Sequence, residues 1–151
     1  RWMIAASMPA TENMFLNYDG FSDGLAGLSR APEVRNWFER AGYTDIRSDY
    51  LDLASRANAD NARTASRLHG EGYRVCIFLH SHMLREARQA RDSRVGNHWV
   101  VLTSAIHMSP ESVRLQVFSW GRGNFAIPAG STALSLDDFL DNYYGYVAAR
   151  Y

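Results

Sequence analysis

From Tyr73 to His80 the chain reads as a buried strand, with a continuous apolar run, Val75 to Leu79, at its centre. A second apolar run, Trp99 to Leu102, follows Gly96, Asn97 and His98, and Val113 to Trp120 alternates between apolar and polar positions. These two segments are expected to pair as an antiparallel hairpin, with His107 to Ser112 as the connecting loop. If Ile106 opposes Val113, His98 falls opposite Gly121 and Trp99 opposite Trp120, with both tryptophans on one face.

Helical spacing appears elsewhere. Pro32 is expected to open a helix with Val34, Trp37 and Phe38 as its buried stripe and Gly42 as its stop. A short strand or extended segment is predicted near Asp45 to Tyr50, then a helix from Ala59 to Leu68 ending before Gly70. A polar helix is expected over 81–91, a loop over 92–96, and a turn at 121–124 leading into a strand at Phe125 to Pro128. Ser135 and Asp138 are spaced as a capping pair for a helix carrying Leu136, Phe139, Leu140 and Tyr143, ending near Gly145 before a last strand, Tyr146 to Ala149. At the start, Trp2 to Met8 reads as a helix end and Asn17 to Gly27 as an ordered loop. With helices early and an antiparallel sheet late, the fold class expected is α+β, over a single domain spanning residues 1–151.

Composition narrows the partners. Formal net charge is zero and like charges do not run together, so neither a nucleic-acid surface nor a polybasic membrane patch is expected; a protein or small molecule is the expected partner. Apolar runs are too short for a membrane span. Every one of the 16 basic residues is arginine, which fits a GC-rich bacterial genome or a delivered protein depleted of lysine. The single cysteine, Cys76, permits neither an intrachain disulfide nor a Cys-rich zinc site. Because the chain opens on Arg1 and Trp2 with a core-like segment, it is expected to be the C-terminal part of a larger protein.

His98, at the mouth of an apolar strand, is placed as a general base is usually mounted. It equally suits a structural histidine at a strand edge, capped by Asn97. The combination of His98 heading one strand and Ser119-Trp120-Gly121 closing the next resembles the C-terminal half of papain-like cysteine peptidases and related bacterial effector domains. The resemblance implies a papain-like fold in which His98 activates a cysteine thiol and Trp120 shields the histidine. It further implies a peptidase, amidase, deamidase or acyl-transfer activity without a cofactor or metal, in a secreted or delivered bacterial effector or toxin acting on a protein target. Phe118 stands where that family places the orienting asparagine, leaving the role to Ser119, Asn97 or a residue elsewhere.

The family's nucleophile opens a helix, where the dipole favours thiolate. Cys76, the one candidate nucleophile in the chain, sits mid-strand, where an inert thiol belongs. A cysteine upstream of Arg1, on an N-terminal fragment, is therefore the expected nucleophile, and a catalytically inactive protein-binding module is the alternative. His69, His80 and His82 lack the spacing of a zinc site, and Asp137-Asp138 reads as first-turn helix acids. The tyrosines at 143, 144, 146 and 151 read as packing against the sheet, and His107 as a solvated loop residue.

Overall fold

The computed structural model describes residues 31–51, 55–80, 83, 98–119, 123–130 and 133–151. The expectations for 2–8, 17–27, 81–91 and 92–96, together with Asn97, Trp120, Gly121 and the side chain of Trp37, lie outside these residues. In chain order the elements are α1 (Ala31–Arg40), β1 (Asp45–Tyr50), α2 (Ala59–Gly70), β2 (Arg74–Leu79) and β3 (His98–Leu102). Then follow β4 (His107–Met108), β5 (Val113–Ser119), β6 (Gly123–Ile127), α3 (Leu136–Leu140) and β7 (Tyr143–Arg150).

The fold is α+β. Among the described residues the strands form one 7-stranded sheet in the order β1-β7-β2-β3-β5-β4, with β6 also on β5, and every pairing is antiparallel. Helices and strands interleave, which corrects the expectation of helices early and sheet late. β1 precedes α2, and β7, the last strand of the chain, lies between β1 and β2.

Both faces of the central strands are covered, which explains why β2 is a continuous apolar run. On one face Ala62, Ala65 and Leu68 of α2 and Phe139 of α3 pack on Val75, Ile77, Val100, Val117 and Ala148. On the other, Val34 and Phe38 of α1 pack with Cys76, Phe78, Trp99, Val101 and Val147. The local caps follow the sequence: Asn58 Oδ1 accepts from the N–H of Asn61 at 2.9 Å, and Ser135 Oγ accepts from that of Asp138 at 3.1 Å.

The closing segment departs from expectation. α3 stops at Leu140, so Tyr143 and Gly145 belong to the strand rather than the helix. Pairing of Phe78 with Gly145 on β2 and of Tyr50 with Gly145 on β1 continues the ladder through the glycine. Two neighbouring strands outweigh the local helix signal because each ladder bond is satisfied only if this segment stays extended.

β1 is tied to β2 and β7 by side chains as well. Tyr73 Oη donates to Asp45 Oδ2 at 2.5 Å, and the Arg150 guanidinium lies over the Tyr73 ring. Tyr73's hydrogen bond holds the Asp45 carboxyl below its ordinary range, with Arg47 and Arg150 adding to the effect. A depressed carboxylate contributes stability above its unfolded value and loses it as pH falls through the folded one. Acid titration followed by circular dichroism is therefore expected to show an Asp45→Asn variant with a shallower loss of stability below about pH 4.

Candidate active site

β3 and β5 bring two of the sequence-predicted residues together. Val101 pairs with Phe118 and Leu102 with Val117, the register anticipated for the hairpin. Further along, Met108 rather than Ile106 opposes Val113, because five steps from Leu102 to His107 face three from Val117 to Arg114. Ser104 Oγ absorbs the irregularity by accepting the Gln116 N–H at 2.8 Å. His107 and Met108, expected in a loop, form the short strand β4, with His107 exposed.

Strand alternation puts His98, Val100 and Leu102 on one face of the sheet, and Val113, Leu115, Val117 and Ser119 share that face. His98 Nε2 consequently lies 2.8 Å from Ser119 Oγ. Ser119 has no exposed surface and sits opposite Gly123, while the His98 ring is partly exposed. A buried hydroxyl with this geometry fixes the ring's tilt, and, able to donate or accept, it can partner Nε2 in either tautomer. It is poorly placed to attack a carbonyl, because an incoming carbon needs access to the oxygen.

Phe118, the position that the resemblance assigns to the orienting asparagine, faces the other way. It packs with Trp99 and Val101 on the α1 side of the sheet. The residue meeting the imidazole is thus Ser119, one position further on.

Cys76 is also on the α1 side, paired with Val101 across β2 and β3, so the sheet itself separates it from the His98 ring. Only 1% of its surface is exposed, and burial pushes the thiol up to about 12. Enclosed in this way, Cys76 has neither the exposure nor the lowered thiol pKa that favours a nucleophile.

Two further residues stand at the same end of the sheet: His80, weighed in the sequence only as a metal ligand, and Asn142, which sequence reasoning missed. Leu79 pairs with His98 on one side and Tyr143 on the other, which brings the adjoining His80 and Asn142 beside this end. The His80 N–H donates to the Asn142 carbonyl at 2.9 Å, and Asn142 Nδ2 donates to Asp138 O at 2.7 Å. Asn142 is 1% exposed, yet its Oδ1 is buried with no hydrogen-bond partner among the described residues. Such a group is costly to leave unsatisfied and is typical of sites that receive a ligand or water. The sequence held no signal for it, since Asn142 reads as one more polar residue at a helix end. Tyr143 is not an acid or base here. Its Oη donates to Asn61 Oδ1 at 2.5 Å, and burial raises it well above the usual phenol range.

Among the described residues, no group of three or more His, Cys, Asp or Glu is arranged to hold a metal ion. Also among these residues, no helix is long and apolar enough to cross a membrane. Comparison of the chain with family models, curated proteins and solved structures gave no match. The class defined by the fold is therefore an antiparallel α+β domain with a Ser-supported histidine at one end of its sheet.

Proposed function

We propose that this chain supplies the histidine half of a papain-like thiol hydrolase or acyl-transfer domain from a bacterial effector or toxin acting on a protein target. In this reading His98 is the general base, Ser119 positions it, and the nucleophile is a cysteine upstream of Arg1. The observation that carries the reading is the 2.8 Å contact between His98 Nε2 and the fully buried Ser119 Oγ.

With Nε2 held by Ser119, Nδ1 is the nitrogen assigned to the thiol. It takes the thiol proton, and the thiolate attacks the amide carbonyl to form a tetrahedral intermediate. The imidazolium then returns the proton to the departing amine, leaving a thioester. His98 next removes a proton from water, or from an acceptor amine, whose attack on the thioester releases the acyl product and regenerates the thiol. Ser119 thus takes the positioning role that the family gives to asparagine.

Alkylation of the natively purified protein with iodoacetamide, read by intact mass, tests this. A thiol other than Cys76 is expected to react fast at neutral pH, and His98→Ala should slow it by about a hundredfold. Ser119→Ala should slow it by roughly tenfold and displace the pH profile of the reaction, which loss of packing would leave in place.

The second reading, an inactive fold kept as a protein-binding module, draws on the enclosed Cys76 thiol and on Phe118 facing away from His98. It prevails if the sole thiol is Cys76 and it takes up label only after unfolding.

A further inference from the structure

A second site lies toward the opposite end of β5. Arg114 and Ser119 are five positions apart on that strand, roughly 17 Å in extended chain, and point to opposite faces. Here the β4–β5 and β5–β6 pairings enclose a cleft of about 400 Å³, a size that suits a small ligand. His107 and Arg114 are direct cross-strand partners and line the same side of it. Ser112 and Gln116 add a hydroxyl and a carboxamide, while Ala126, the cross-strand partner of Gln116, and Pro128 supply an apolar wall.

The charge in this cleft is one-sided. Asp and Glu are absent from its lining among the described residues, and Arg114 makes no ion pair there with any of them. A guanidinium offers a planar fork of N–H donors matched to an oxyanion, and an imidazole opposite it can add another donor.

We propose that the cleft binds a small molecule bearing an oxyanion, a carboxylate or a phosphate, gripped by Arg114 and His107 with its apolar body against Ala126 and Pro128. The inference is independent of the role of His98, since the two sites share neither a face nor a side chain.

Titration of the ¹⁵N-labelled full chain with benzoate, with inorganic phosphate and with neutral benzamide tests it. Benzoate or phosphate is expected to shift the amide resonances of His107, Arg114 and Gln116 saturably, with benzamide causing little change. A response to benzoate only identifies the carboxylate source, and a response to phosphate only identifies the phosphate source. Arg114→Ala, an exposed position whose replacement should leave the fold intact, is expected to weaken binding by roughly tenfold or more. Arg114→Lys should restore part of it. The proposal is overturned if neither anion shifts these resonances, if benzamide matches benzoate, or if a folded Arg114→Ala variant binds as tightly as the parent.

Discussion

Gly145→Ala is expected to destabilise the protein by about 4 kcal/mol, a large share of the stability of an ordinary domain. Two effects combine. Gly145 has φ +126°, a conformation that L side chains rarely adopt. An added Cβ would also run into the Asp49 carbonyl oxygen and come within 3.0 Å of Tyr50 Cα. Neither neighbour is a flexible side-chain tip. Both belong to the β1 backbone, which the ladder to β7 holds in register from Asp45 to Tyr50. Urea denaturation should show the midpoint falling with an unchanged slope. Gly70→Ala provides the control, since nothing lies within 4 Å of an added Cβ there, and the substitution should be neutral or slightly stabilising. A Gly145→Ala protein within about 1 kcal/mol of the parent would mean that β1 moves aside, and that its pairing with β7 is looser than its register implies.

Trp99→Ala should cost about 3 to 5 kcal/mol. Trp99 is fully buried, its ring centroid 4.7 Å from Phe78 and 5.4 Å from Tyr50, so truncation opens a hole between β3, β2 and β1. Trp99→Phe keeps most of the aromatic volume and should recover more than half of the loss. The position also bears on the site. Trp99 anchors β3 on the α1 face, while its neighbour His98 faces the other side. If His98 acts as the base, Trp99→Phe should retain much of its effect on thiol reactivity, and Trp99→Ala should lower that reactivity together with stability. Thermal or urea unfolding of both variants checks the energetic part, and a loss under 1 kcal/mol for Trp99→Ala would show that the cluster repacks.

Many elements were legible because their signals are local. Period-two alternation marks β5, a continuous apolar run marks β2, and Ser135 satisfies a helix N-terminal N–H group three residues on. Asp45 to Tyr50, expected as a short strand or extended segment, becomes a strand by pairing with β7. The failures share a physical cause. Tyr143 to Gly145 continues a helical pattern, and only β1 and β2 on either side make it a strand. His107 and Met108 read as loop, and only their pairing with Arg114 and Val113 makes them a strand.

The candidate site divides in the same way. His98 stood out because a histidine heading an apolar strand is visible in the linear pattern, and so did Ser119 within its Ser-Trp-Gly motif. Which neighbour reaches the ring depends on side-chain parity across β3 and β5, and parity gives Ser119 and turns Phe118 away. Asn142 and His80 reach the same end of the sheet only through the bulge at Phe78 and Leu79 and the insertion of β7 beside β2. By itself the sequence determined which segments form the helices and most of the strands among the described residues, where the last of these helices is capped, and that the lone cysteine lies in a buried strand, since each depends on neighbours within a few residues. The tertiary structure decided the strand order, the strand at Gly145, the contact between His98 and Ser119 and the face on which Cys76 is enclosed, because these depend on residues far apart in the chain pairing across a sheet covered on both sides.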